Sequence, residues 1–201
     1  LNCGLGVLLL PICGVLLLVK GGAVISTMNM IFEGKTGSVA VLLCAAVCVI
    51  ASMNDMTTPS VSLEGKSLWL VQSLPVTAWQ VLRAKLRMHL LLTGLPVALL
   101  CVCIAIVSPF PAAQTALLLA VAVLFTVLSA LLNLFLGLKM PILHWTNEIT
   151  PIKQSGAVTI ALFGGWAYAA LLAGGFLLVG WRIGFTAYMA AFAGATLAGC
   201  V

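Results

Sequence analysis

Two stretches of this chain end in the residues that grip phosphate in nucleotide-binding loops: "EGKTG" at 33–37 and "EGKS" at 64–67 both carry Gly-Lys followed by Ser or Thr. The full loop requires G-x-x-x-x-G-K-[ST], whose glycines let consecutive backbone N–H groups face the phosphates. The position five before the second glycine is Asn29 in one stretch and Ser60 in the other, so neither reads as an ATP site. Acid–base chemistry fares no better. The four carboxylates (Glu33, Asp55, Glu64, Glu148) are scattered, the two histidines (His89, His144) are far apart, and neither G-x-S-x-G nor H-E-x-x-H occurs. His144 and Glu148 have i, i+4 spacing, but two side chains without a further ligand make a poor metal site. Cys3, Cys13, Cys44, Cys48, Cys101, Cys103 and Cys200 all fall in apolar runs without a C-x-x-C pair, which reads as small hydrophobes packed among helices. Catalytic, metal and cofactor sites are therefore not expected in this chain.

The surroundings of these residues explain why. Of 201 residues, 63% are hydrophobic and 6% charged, with a mean hydropathy of +1.27. A soluble domain carries about a quarter of its residues charged, so the solvent here is lipid and the chain is an integral membrane protein. Six uncharged windows approach the roughly 20 residues that cross a bilayer: 1–19, 36–54, 88–110, 112–136, 157–181 and 183–201. They are continuous rather than alternating, so each must satisfy its backbone within itself as a helix, not as a barrel strand. The expected fold is all-α, a polytopic helix bundle of about six spans forming a single domain over 1–201. "SPFPAAQ" reads as a tight turn between the third and fourth spans, and "GWRIG" at 180–184 leaves room only for a turn. The chain starts at Leu1 on an apolar run without a charged leader, and is read as a fragment or as half of a longer protein.

Six spans place the connections 55–87 and 137–156 on one side, with Lys66, Arg83, Lys85, Arg87, Lys139 and Lys153, against Lys20, Lys35 and Arg182 on the other. Positive charge collects on the cytoplasmic side, which puts both larger connections and both ends of the chain there. By this division no Asp, Glu, Lys or Arg lies within a span, which argues against a proton- or ion-coupled carrier. His89 then reads as an interfacial residue at the edge of the third span. Ala190, Gly194 and Ala198, and the paired glycines of "FGGWAYAALLAGGF", read as close helix contacts within the bundle. Pro11 and Pro96 lie inside spans, where a kink is expected.

The first connection carries its own helix signals. Thr77 and Gln80 form a T-x-x-Q capping box just after Pro75. On a helical wheel Ser73, Thr77, Gln80, Arg83, Ala84 and Arg87 share one face, opposite Trp79, Leu82, Leu86 and His89. That pattern predicts an amphipathic helix lying on the membrane surface. Lys85 falls on the apolar side, so it must snorkel or pair with a carboxylate, and Glu64 is the partner to test first. Upstream, "SLEGKSLWLVQSL" reads as a second short helix with Leu63, Leu70 and Leu74 in one stripe. The two would form a folded cytoplasmic elbow.

The stretch "SLEGKSLWLVQSLPVTAWQVLRAKL" at 62–86 resembles the connection between the second and third spans in permease subunits of ABC exporters of the ABC-2 kind. "HWTNEITPIKQSG" at 144–156 is similar to the W-x-N-E-x-x-x-x-K-Q-S stretch after the fourth span in one bacterial branch of ABC exporter permeases. The resemblance implies half of a transmembrane pathway in the cytoplasmic membrane of a bacterium, paired with a second permease copy or half and bathed in membrane lipid. ATP would be bound by a separate cytoplasmic ABC ATPase subunit, and nucleic acid has no part in it. Glu64, Gly65, Lys66, Trp69, Leu74, Pro75, Thr77 and Lys85 would build the element that rests on the ATPase. Trp145, Asn147, Glu148, Lys153, Gln154 and Ser155 would mark the second cytoplasmic loop. The competing expectation is a membrane anchor or assembly subunit that moves no substrate.

Overall fold

The computed structural model describes residues 4–32, 35–73, 75–143, 145, 147, 149–153 and 155–200, with the side chains of Lys66, Ser67, Leu68, Leu70, Val71 and Lys153 outside that description. It is an all-α bundle, without a strand among the described residues. The order is α1 (Leu5–Ile31), α2 (Ser38–Ser52), α3 (Thr57–Leu63), a 3-10 turn (Glu64–Ser67), α4 (Leu68–Ser73), α5 (Ala78–Val107), α6 (Ala112–Lys139), α7 (Ile149–Lys153) and α8 (Gly156–Gly175). A wide π-turn (Phe176–Gly180) then leads through α9 (Trp181–Ile183) to α10 (Phe185–Cys200).

Among the described residues, five helical stretches are long and apolar enough to cross a membrane. The sixth expected span is α10, apolar but only 16 residues, about 24 Å against the roughly 30 Å of bilayer hydrocarbon. Helix α1 runs beyond its expected window. Lys20 does not end it, because an exposed lysine is a good helix former, and the helix continues to Ile31. Pro11 and Pro96 likewise sit within continuous helices. Lys20 is thus inside a span, contrary to the sequence division.

Helix α2 is the hub, burying Val41, Cys44, Val47, Cys48 and Ala51 against α1, α6 and α8. One core follows from it, including Leu10, Leu100, Val121, Phe125, Leu172 and Phe176. Cys44, Cys48 and Cys101 are buried and unpaired, as expected of small hydrophobes. At one end, Lys35 Nζ donates to the Leu177 carbonyl at 3.2 Å and lies 5.8 Å from the Trp181 ring centroid. That end also carries the 108–111 turn. The opposite end gathers both larger connections, as alternation of the spans requires.

The small residues divide differently from expectation. Ala190, Gly194 and Ala198 lie on the exposed face of α10, where Gly194 has nothing nearby. Within each glycine pair of α8 one member is used: Gly165 meets Ser52 and Gly175 meets Tyr188, while Gly164 and Gly174 face open space. Four-residue spacing marks a face, and here that face turns away from the bundle. A close approach of backbone to backbone occurs at Gly137 of α6, where a Cβ would lie 2.6 Å from the Thr58 carbonyl oxygen. Its absence lets the backbone of α3 rest on α6.

We expect Gly137→Ala to lower stability by about 1–3 kcal/mol, the range for forced overpacking. Gly94→Ala, on open space in α5, should instead be neutral or gain up to about 1 kcal/mol. Thermal unfolding of the two variants in detergent, measured side by side, checks the contrast.

Candidate functional site

The end of the bundle that holds both connections begins where α2 stops. Residues 53–56 leave the helix, and α3 turns back into the structure with Thr57, Thr58, Pro59 and Ser62 buried. Pro59 fits in the first turn of α3, where its missing N–H has no helical partner to lose. Thr57 Oγ1 and His89 Nδ1 are 3.1 Å apart. Thr58 Oγ1 hydrogen-bonds the Asp55 carboxylate and lies 3.2 Å from the Asn133 carbonyl oxygen. Two sequence expectations are corrected here. His89 is 1% exposed and belongs to the interior, and Asp55 at 4% is a carboxylate inside the bundle, within the apolar stretch Ser38–Leu63.

Helix α5 starts at the expected cap. Thr77 Oγ1 accepts from the Gln80 N–H at 3.4 Å, and the Gln80 side chain accepts from the Thr77 N–H at 2.9 Å. The helix does not lie apart on a surface, however. Its amphipathic first turns run straight on into the third span, because no breaker stands between Arg87 and the apolar run. Arg83 and Arg87 are exposed, with Leu82 and Leu86 half-buried. The segment upstream is not one helix either. It divides into the end of α3, the 3-10 turn and α4, so Leu63 and Leu70 belong to different elements, and Leu74 lies outside the described residues.

Lys85 finds the partner its position on the wheel demanded. Its Nζ is 2.7 Å from Glu64 Oε2 and donates to the Ser60 carbonyl at 3.0 Å. Ser60 O belongs to the last turn of α3, whose carbonyls lack helical partners, and a cation there also complements the helix dipole. With Lys85 11% and Glu64 37% exposed, the pair is half sheltered. Lys85 thereby ties α5 to the turn that follows α3.

The second connection closes over this turn. Ser62 Oγ accepts from the Ile142 N–H at 3.0 Å, and Ser62 O accepts from Trp145 Nε1 at 2.9 Å. A Cβ on Gly65 would stand 2.8 Å from the Leu143 carbonyl oxygen, so only glycine admits the strand of chain crossing it. Glu64, Gly65, Lys85 and Trp145 are thus brought together. Other expected residues stay apart: Trp69 is 69% exposed, Pro75 and Thr77 are exposed, and Asn147 Oδ1 accepts locally from the Ile149 N–H at 3.0 Å. Ser155 is buried at the start of α8, where its carbonyl accepts from Thr159 Oγ1. Glu148 and Gln154 lie outside the described residues, as do His144 and the side chains of Lys66 and Lys153. Sequence reasoning passed over Ser60, Ser62 and Leu143; the density of small polar residues in "NDMTTPSVS" was the available signal for the first two.

Beside the ion pair, a groove of about 310 Å³ is lined by residues including Val61, Gln72, Val76, Leu82 and Leu138. Trp69, Val76 and Trp79 stand exposed around this end, and Arg83 covers Trp79 with its guanidinium 5.1 Å from the ring centroid. An ion-paired join beside exposed tryptophans can bear on a partner. Among the described residues no three His, Cys, Asp or Glu side chains gather as metal ligands would. Compared with known protein families, curated proteins and solved structures, the chain matches none.

Removing one member of the ion pair leaves the other half-buried. Glu64→Gln should therefore cost about 1–2 kcal/mol, below the 3–5 of a fully buried pair because Glu64 meets solvent. Adding Lys85→Met should recover most of that loss. A double-mutant cycle on thermal unfolding reads the coupling, and strict additivity would show that the contact contributes nothing.

Proposed function

We propose that this chain is the membrane-embedded permease subunit of an ATP-driven exporter, coupled to a separate ATPase through the 55–87 elbow. The observation that carries the reading is the union of the two stretches that resemble ABC-2 permeases. Trp145 of the second is bonded to Ser62 of the first, and Leu143 passes directly over Gly65. Segments 80 residues apart in sequence form one body at one end of the bundle. The excess of Lys and Arg in both connections supports a cytoplasmic position for that end, and the reading puts the chain in a bacterial cytoplasmic membrane with a second permease copy or half beside it.

The mechanics follow from what the elbow touches. A bundle with two conformations needs an outside source of free energy that binds the two states differently, and ATP bound by the partner supplies it. Trp69, Trp79 and Val76 offer the ATPase an apolar, aromatic surface of the kind that anchors interfaces. Displacement there passes through Glu64 and Lys85 to α5, through Gly137 to α6, and through Trp145 to the segment leading into α8. Three of the spans would then move with one push.

Copurification in mild detergent tests this. An ATPase with Walker motifs should come down with the wild-type chain and be lost on Trp69→Asp or Trp79→Asp, exposed positions whose change leaves thermal unfolding unaltered. Failure of any such ATPase to associate, or indifference to both substitutions, would remove the reading. If association survives but vesicles loaded with ATP show no transport with the cognate ATPase, the anchoring role takes its place. Topology has its own check: in intact cells Arg182→Cys should react with an impermeant thiol reagent and Lys66→Cys should not, in a chain otherwise free of cysteine.

A further inference from the structure

Away from the elbow, α6 and α8 part along their lengths to leave a lateral groove of about 310 Å³. It runs from Leu136 and Ile160, near the elbow end, to Phe125 and Tyr168, which stand at the midpoints of the two spans. Its extent along α6 is eleven residues, about 16 Å, close to the roughly 15 Å that is half of the bilayer hydrocarbon. The groove therefore occupies the depth of one leaflet.

Its walls are apolar apart from a few polar side chains, and these are not equivalent. Ser52 donates to the Val49 carbonyl, Ser129 to the Thr126 carbonyl, and the Tyr168 hydroxyl is bonded to Thr196. Asn133 differs: it is 5% exposed, it lines the groove, and its side-chain amide makes no hydrogen bond to another described residue. The amide opens onto the groove, and in hydrocarbon an amide without a hydrogen-bond partner is unfavourable, so a partner from outside the chain is favoured. Helix α6, 28 residues long, exceeds the hydrocarbon by about 12 Å. Centred in the bilayer, it places Asn133 about 3 Å inside the hydrocarbon boundary on the elbow side, the level where an acyl chain meets its polar linkage. Deeper in the groove there is no unpaired polar group among the described residues lining it, as an alkyl tail requires.

We propose that this groove binds one acyl chain of a bilayer phospholipid from the elbow-side leaflet, with the Asn133 amide donating a hydrogen bond to the ester carbonyl at the chain's polar end. Gly164 keeps the site open: it lines the groove, and a Cβ added to it would meet nothing within 4 Å. A larger side chain there would fill the space without striking the core. The proposal does not depend on the exporter reading, because the surrounding bilayer supplies the phospholipid whether or not the chain moves a substrate.

The test uses the full chain reconstituted in vesicles of phosphatidylethanolamine and phosphatidylglycerol with a trace of phospholipid bearing a diazirine on one acyl chain. After photolysis, adducts mapped by mass spectrometry should concentrate in 125–136 and 160–168, several-fold above the exposed face of α1 at Leu8, Val15 and Leu16. Gly164→Trp should reduce the groove adducts at least five-fold and leave those on α1 unchanged; should that variant not fold, Ile160→Trp is read in the same way. Asn133→Leu should lower them several-fold while Leu171→Trp, on the outer surface away from the groove, does not. Excess oleic acid should leave the groove adducts in place; their displacement by it would assign a free single-chain amphiphile and overturn the proposal. Uniform labelling, indifference to the filling substitutions, or crosslinks in 160–168 to a second protein chain would overturn it.

Discussion

A backbone that leaves helical pairing inside an apolar bundle must find partners for its freed N–H and C=O groups. In this chain the demand arises at residues 53–56, where the second span breaks and α3 turns inward. The N–H groups of Met53 and Asn54 are held by carbonyls of the preceding turn, Ile50 and Ala51. Beyond them the Ser60 hydroxyl donates to the Thr57 carbonyl and the Thr58 hydroxyl lies near the Asn133 carbonyl, while Thr57 and Thr58 also meet the side chains of His89 and Asp55 and Ser62 accepts from the second connection. Gly6 of α1 and Gly137 of α6 allow the two flanking helices to close on this break, since a Cβ on either would meet Asn54 or Thr58. A run of small polar residues in a chain with so little charge is the consequence of one interrupted helix.

The elbow is built outward from that break. The last turn of α3 presents unpaired carbonyls, and Lys85 meets one of them while Glu64 neutralises its charge. Because Lys85 belongs to α5 and Ser62 receives Ile142 and Trp145, the same short helix is fastened to elements on either side of it. The join combines a half-sheltered ion pair, three hydrogen bonds and a glycine contact, each worth little by itself. Together they fix the relative positions of segments that are far apart in the chain. The lateral groove sits beyond this join, between α6 and α8, with Gly165 of α8 resting on Ser52 of α2 at its wall.

Local signals were legible without any structure. The Thr77–Gln80 cap depends on four neighbouring residues, and it forms as the spacing predicts. The Lys85–Glu64 pair was legible for a different reason: a cation on the apolar face of a helix has few ways to be satisfied, and few carboxylates exist in this chain. Where the reading went astray, the information was not local. Ala190, Gly194 and Ala198 show a small-residue face but nothing in them says which neighbour it meets. His89 and Asp55 stand beside the ends of apolar windows, and whether such residues face water or protein depends on α3, whose inward turn lies in a segment assigned to the surface.

Sequence alone therefore determined the class of the fold, the solvent, the approximate spans, the start of α5 and the need for a partner at Lys85. These follow from composition, from the length that crosses a bilayer and from interactions within a helical turn. Tertiary structure decided that the two connections form one body, that the amphipathic turns continue into the third span, and that α6 and α8 leave a groove with Asn133 in its wall. Each of those depends on which faces of distant helices meet, and close approach at Gly65, Gly137 and Gly165 is set by the absence of a side chain, which a sequence records identically whether or not another backbone comes to fill the space.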